Sequence, residues 1–294
     1  MDYSFEGKLK KRVTFILATK NRAKALNQAL KNIKQYKKKN DELIVVDGGS
    51  ADNSLQIIRN NSDFIDLFIS EPDISPTHAT NKAILVSHGK YIKPLSDDDL
   101  IYPKSLEKAI DILESHPEVD VLVCGGVFYN LDNKSRIILY PPIGTNYGSK
   151  VEDLFNYGGA GIGMIFRKSI LARVGLLPLT WISDTSFLAL CIASHCVVRF
   201  CRIKLFYARL HNNNIIFTKS KEISEETFEL LKKYASKSFL WRYWFNRLLF
   251  KHPILNPVLF LPIQIYKIIR GFFKVSPKSP NSSTDKYIWD GGFS

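Results

Sequence analysis

Three consecutive carboxylates, Asp97-Asp98-Asp99, follow a β-rich run, Tyr91–Leu95, and a single serine, Ser96. Adjacent acids repel one another, so their placement at a strand end is costly unless a cation neutralises them. Oxygen donors suit Mn2+ or Mg2+, and such an ion bridges a diphosphate and stabilises the charge that grows on it as a bond to it breaks. Taken alone, the triplet reads equally well as a solvated acidic turn or a helix N-cap. Its meaning depends on what surrounds it.

Two other polar loops share the same setting. Ala18-Thr19-Lys20-Asn21-Arg22 closes the apolar run Val13–Ala18, and Asp47-Gly48-Gly49-Ser50-Ala51-Asp52 closes Leu43–Val46. In open α/β sheets ligands collect at the carboxyl ends of strands, where these loops are expected side by side. Asp47 can accept hydrogen bonds from a ribose or base, and Gly48 and Gly49 admit a ligand close to the backbone. A dinucleotide oxidoreductase would need a GxGxxG turn after the first strand, and a nucleotidyltransferase a glycine-rich basic loop there. The sequence Ala18 to Ala23 is neither.

The elements that must position these loops alternate in type. Val13–Ala18, Leu43–Val46, Phe64–Ile69, Tyr91–Leu95 and Val119–Val123 read as strands. Ala23–Tyr36, Leu55–Asn60, Thr77–Ser87 and Lys104–Ser115 carry apolar residues at helical spacing, with starts at Asp52–Asn53 and Pro103. The expected class is α/β, a Rossmann-like, mainly parallel sheet flanked by helices. After Asn130 the pattern loosens into Pro141–Pro142, a cluster at Gly158, Gly159, Gly161 and Gly163, and an apolar segment Met164–Phe166. Those glycines serve either a plain turn or a close backbone approach.

From about Lys11 to His211 the order of these motifs resembles glycosyltransferase family 2, and specifically a bacterial-like subgroup with SEPD and NKG motifs. Thr19-Lys20-Asn21-Arg22, Asp47-Gly48-Gly49-Ser50-Ala51-Asp52 and Ser96-Asp97-Asp98-Asp99 stand where that family has its Thr-x-Asn-Arg-like loop, nucleotide loop and DxD-type metal motif. Ser70-Glu71-Pro72-Asp73, Asn81-Lys82-Ala83 and Gly89-Lys90-Tyr91-Ile92 match a further stretch.

The resemblance implies a GT-A fold, inversion at the transferred sugar, a nucleotide-sugar donor with UDP favoured, and Mn2+ or Mg2+. It places Thr19, Asn21, Arg22, Asp47, Gly49, Asp52, Asp73, Asn81, Lys82 and Asp97 at the donor. Asp98, Asp99 and His211 become metal ligands, with Asp98 principal because Ser96 stands where the family often has its first acid; the division within the triplet stays open. Asp184, after Trp181-Ile182-Ser183, becomes the base that deprotonates the acceptor hydroxyl, although an Asp there also suits a helix cap. Arg209 is an alternative phosphate contact.

The formal charge of +13, from 41 Lys+Arg against 28 Asp+Glu, favours an anionic partner. Ten of those basic residues, and no acid, lie between Leu230 and Thr284 among aromatics that include Trp241 and Trp244. The longest uncharged stretch there, His252 to Tyr266, is too short and too broken by prolines to span a bilayer. An anionic membrane surface is therefore the expected partner, beside a glycan or lipid-linked glycan acceptor, with a helical extension packed on the catalytic domain as the alternative for this region. A basic nucleic-acid-binding protein is the rival reading, but it leaves the acid triplet unexplained, so no nucleic-acid partner is expected. An inactive glycosyltransferase-like scaffold is the other alternative, and the presence of both Asp98 and Asp184 opposes it.

The four cysteines, Cys124, Cys191, Cys196 and Cys201, lack metal-site spacing and read as reduced, buried small hydrophobes. With no signal-peptide pattern before Lys20, the expected location is cytoplasmic, peripheral on the inner face of a membrane. The expected organisation is a catalytic domain over 1–219, a basic helical region over 220–275 and a flexible tail over 276–294.

Overall fold

The computed structural model describes residues 11–131, 134–139, 150–157, 161–211 and 214–249. Pro141–Pro142, Gly158, Gly159, the stretch 252–266 and the 276–294 tail lie outside them.

β1 (Val13–Thr19) and β2 (Glu42–Asp47) are apolar runs buried almost throughout, as strands covered on both faces must be. β3 (Leu67–Ser70) and β4 (Tyr91–Ser96) complete a parallel quartet in the order β3-β2-β1-β4. The sheet continues through β8 (Met164–Arg167), β6 (Val121–Asn130), β9 (Val198–Leu210) and β5 (Leu100–Ile101), with β7 (Arg136–Leu139) paired to β6. β8 runs antiparallel to both β4 and β6, whereas β6 and β9 are parallel. The parallel ladders hold most of the paired residues, so the expected mainly parallel α/β sheet is what the chain forms.

Side chains alternate between two apolar layers. Phe15 and Leu17 face one layer with Leu26, Leu30 and Ile33 of α1 (Ala23–Ile33) and Leu106, Ile110 and Leu113 of α4 (Pro103–Ser115). Ile16, Ile44 and Val46 face the other with Ala79 and Ala83 of α3 (Pro76–Val86) and Phe187 and Leu188 of α7 (Ser183–Ala193). α2 (Ser54–Arg59), α5 (Val151–Tyr157), α6 (Leu171–Val174) and α8 (Ile215–Thr218) are short. All four cysteines are buried and free, Cys124 and Cys201 with sulfurs 3.1 Å apart on paired positions of β6 and β9.

Some boundaries differ from the sequence reading. The third strand starts at Leu67 rather than Phe64, because the N–H groups of Phe64 and Ile65 are taken by the Asn61 carbonyl in a turn. The first helix ends at Ile33, three residues short of Tyr36. The fifth predicted strand starts two residues later and runs to Asn130. There β9 carries extra residues: from Cys124↔Cys201 to Gly126↔Phe206 the chain takes two steps along β6 and five along β9. Gly126 is needed at this irregularity, since a Cβ on it would lie 2.5 Å from the Phe206 ring.

The expected boundary at 220 falls where α9 (Ser220–Tyr234) begins. Leu231 of α9 and Phe239 of α10 (Lys237–Leu249) belong to the second apolar layer, so this part of the basic region packs on the sheet domain. Trp241 and Trp244 remain exposed on α10. Among the described residues no helix is long and apolar enough to cross a membrane.

Candidate active site

Thr19 and Asp47 end neighbouring strands in register, and the loops beyond them are tied together. Gly48 N–H donates to the Thr19 carbonyl at 2.9 Å. Asn21, at φ 52°, is in the left-handed region that asparagine tolerates; its N–H donates to Ser50 Oγ (2.8 Å) and its Oδ1 accepts from Ala51 N–H (2.7 Å). Asp52 accepts from the N–H groups of both Ser54 and Ala23, each at 2.9 Å, so it caps the starts of α1 and α2 together. The bonds from Ser54 and Ala23 hold this carboxyl below the usual range. Replacing Asp52 with alanine is expected to cost about 1 kcal/mol of stability, as loss of a cap does, and to raise the KM for the donor; a melting curve beside donor kinetics checks both.

Asp47 is fully buried. Its Oδ2 accepts from Gly49 N–H (3.2 Å), Ser50 N–H (3.0 Å) and Ser70 Oγ (2.9 Å), while its Oδ1 has no partner among the described residues. A buried carboxylate oxygen without a hydrogen bond is costly. Gly49 turns the loop at φ 78°. Asp73 lies over Gly48, where a Cβ would meet Asp73 Oδ2 at 2.4 Å.

Asn81 and Lys82, expected at the donor, make contacts in the fold that brace the loops around it. Both ends of the buried Asn81 amide bind the Leu177 backbone, at 2.8 and 3.1 Å, across the second apolar layer. Lys82 Nζ holds Glu71 Oε1 at 2.8 Å and the Pro72 carbonyl at 3.1 Å, which steadies the loop that carries Asp73.

At the end of β4, beside β1, Asp97 accepts from Thr19 Oγ1 at 2.8 Å and lies 3.3 Å from Arg22 Nε. Burial raises its pKa against the pull of Arg22. Asp98 Oδ1 is in contact with Arg22 Nη2 and 3.4 Å from His211 Nε2. Arg209 grips the carbonyls of Asp97 and Asp98 and the amide of Gln28. Asp99 is different: burial, then the neighbouring Asp98, pushes its pKa up to about 7, and Lys93 and Arg209 are the cations that act on it. Of the three expected metal ligands the fold brings Asp98 and His211 together; among the described residues no three His, Cys, Asp or Glu side chains are gathered for an ion.

Asp184 lies in the first turn of α7. Its Oδ2 accepts from Gly161 N–H and its Oδ1 from Thr185 N–H, both at 2.8 Å, and it stands inside the first turn rather than at the cap position, which is Ile182. Burial raises its pKa. A Cβ on Gly161 would fall 2.4 Å from Asp184, and one on Gly163 would fall 2.1 Å from the Cys124 carbonyl, so close approach is the reason for this pair of glycines. Behind them Lys93, fully buried in β4, donates to the Pro94 carbonyl at 2.9 Å and to the Ile162 carbonyl; burial pushes its pKa down to about 7. Lys93 was missed as a site-supporting residue, although a lysine inside the run Tyr91–Leu95 is itself a signal, because a buried ammonium must be partnered.

Comparison with known proteins fits this arrangement. The family model described as Glycosyl transferase family 2 matches residues 14–175, more than half of the chain. An uncharacterized glycosyltransferase of Rickettsia typhi, RT0329, is 32% identical over 143 residues, 48% of this chain and 44% of that protein. The putative glycosyltransferase EpsE of Bacillus subtilis is 28% identical over 123 residues, 40% and 44% of the two chains. The chain thus spans less than half the length of these curated relatives.

Among solved structures, Staphylococcus aureus TarS 1–349 in complex with UDP-GlcNAc superposes with a TM-score of 0.58 at 16% identity, over 75% of this chain and 64% of that one. The mannosyltransferase PcManGT of Pyrobaculum calidifontis, in complex with GDP-Man and Mn2+, gives 0.60 at 16% identity, over 90% and 76%. These likenesses show a shared GT-A fold. By the family match, with the loops, acids and glycines in the expected order, the chain belongs to glycosyltransferase family 2.

Proposed function

We propose that this chain moves a sugar, with inversion, from a nucleoside diphosphate sugar to a hydroxyl of a glycan or lipid-linked glycan acceptor. UDP is the favoured nucleotide. The observation that carries the reading is the unpartnered Oδ1 of buried Asp47, one strand away from Thr19 and two from Asp97. A nucleoside N–H or O–H at the strand ends would supply the missing bond, and the clamped loops at Asn21 and Asp52 would hold the nucleotide against the backbone of Gly48 and Gly49.

Mn2+ or Mg2+ fits the residues present. Asp98 Oδ1 and His211 Nε2, 3.4 Å apart, offer one hard oxygen and one imidazole on the same side of Arg22. Asp98 and His211 would hold the ion, which when bound supplies charge stabilisation for the leaving diphosphate. Arg22, now against Asp97 and Asp98, is free to turn its guanidinium to phosphate oxygens. Asp184 takes the acceptor proton as the acceptor oxygen attacks the anomeric carbon, and Gly161 N–H holds the carboxylate in place.

The catalytic domain is proposed to cover 1–219, with the basic helical region after it resting on an anionic membrane surface on the cytoplasmic side. Exposed Trp241 and Trp244, with Lys237 and Arg242 on the same helix, support that placement.

The test is nucleoside diphosphate release from UDP-, GDP- and dTDP-sugars with Mn2+, Mg2+ or chelator. Metal-dependent release from one donor is expected. No binding or turnover of any donor with metal and lipid-linked acceptors present would sink the reading.

A further inference from the structure

The acceptor must bring its hydroxyl to Asp184 past the N-terminal end of α7, and the residues just upstream of that end are unusual. Trp181 is 39% exposed, three residues before Asp184, next to exposed Leu179. The backbone that carries it is anchored at several points. Asn81 holds Leu177. Thr180 Oγ1 meets Ser186 Oγ at 3.2 Å. Glu226 of α9 accepts from the N–H groups of Trp181 (2.7 Å) and Ile182 (3.3 Å) through one carboxylate oxygen. The ring is presented to solvent by a scaffold built across three helices.

A cation accompanies it. Lys219 Nζ lies 5.1 Å from the centroid of the Trp181 ring, at the end of α8, the short helix that follows His211. Its ion pair with Glu222 (2.9 Å) is exposed on both partners, so solvent and ligands compete for it. With the ammonium over the ring, the residue as a whole is still 39% exposed.

We propose that Trp181 and Lys219 form the acceptor subsite: the indole stacks on the face of the acceptor's sugar ring, and Lys219 takes an anionic group carried by that sugar. Aromatic faces bury the apolar face of a ring, and a flanking ammonium selects charge. The acceptor class is therefore a glycan whose reacting sugar bears a phosphate or carboxylate close to the ring. This rests on Asp184 being the base, as proposed above.

The test reads binding without turnover. Indole fluorescence of the full chain is followed with UDP and Mn2+ filling the donor cleft, while hexose and N-acetylhexosamine 1-phosphates, the matching uronic acids, and the neutral methyl glycosides are titrated in. The wild type should show a saturable quench that is absent in Trp181→Phe. Lys219→Gln should weaken it about tenfold for the anionic sugars and leave the neutral glycosides unchanged. The phosphate and uronate arms distinguish the two sources of charge. A quench that persists in Trp181→Phe, a flat response across the whole set, or equal weakening of anionic and neutral sugars by Lys219→Gln would overturn the proposal. Because no donor is consumed, a Trp181-dependent quench in a protein that neither binds nor turns over any donor would sink the glycosyl-transfer reading, and with it the acceptor role, while leaving the binding of anionic sugars at Trp181 and Lys219.

Discussion

Alanine at Asp98 is expected to lower nucleoside diphosphate release about 100-fold or more, the scale seen when one group aimed at developing charge is removed. Asp98 supplies one half of the pair with His211 and the contact that draws Arg22 into the cleft. The turn itself should survive, because it is held through main-chain atoms: Asp98 N–H donates to Ser96 Oγ at 3.2 Å, and Arg209 grips the carbonyls of Asp97 and Asp98. The loss should therefore appear in kcat and in a higher metal concentration for half-activation, with an unchanged melting curve. Wild-type turnover in Asp98→Ala would remove this residue from the chemistry and return the acid triplet to the reading of a solvated turn.

Asparagine at Asp184 is expected to cut sugar transfer about 1,000-fold, within the range for a lost general base, while the donor KM moves little. The replacement keeps one oxygen to accept from Gly161 N–H but turns an NH2 toward Thr185 N–H, so the glycine turn should hold while the α7 start loosens, and a melting curve measured beside the kinetics separates that loss from the chemistry. The pH profile carries a second signature. A base works only when ionised, so the rate rises as pH climbs through its pKa. Burial raises that pKa, which puts the acid limb of the wild-type profile above the ordinary carboxylate range. Asp184→Asn should lose that limb along with the activity. A profile unchanged in shape would assign the base elsewhere.

Much of this site was legible because strand ends are written locally. Phe15–Ala18 and Leu43–Val46 are unbroken apolar runs that stop at a polar residue, and parallel pairing puts such stops side by side. The acid triplet was visible for the same reason. What escaped depends on distance in sequence. Asn81 matches a motif, but that its amide binds the backbone of Leu177, 96 residues away, is a pairing no local pattern carries. Asp99 is separated from Asp98 by nothing in the sequence; only the burial around its carboxyl and the cations at Lys93 and Arg209 make it different. Packing of the region after 220 on the sheet domain was one of two open readings, but the hold of Glu226 on the backbone of Trp181, 45 residues away, has no local sign.

The extra residues in β9 bear on how the chain can change length. Cys201 and Leu205 face the first apolar layer, with Ile203 packed against it, as alternation demands; then Phe206 and Ala208 face that layer too. The phase flips between Leu205 and Phe206, and that flip is what directs Tyr207 and Arg209 away from the hydrocarbon and lets the guanidinium reach the acid turn. An unbroken strand would drive Arg209 into the core. This short stretch therefore acts as a parity element: loss or gain of one residue there exchanges charge for oil at the cleft, whereas a change of two preserves the sense of every side chain beyond it. Length variation among functional relatives of this chain should be even-numbered at this point, even where their loops differ freely.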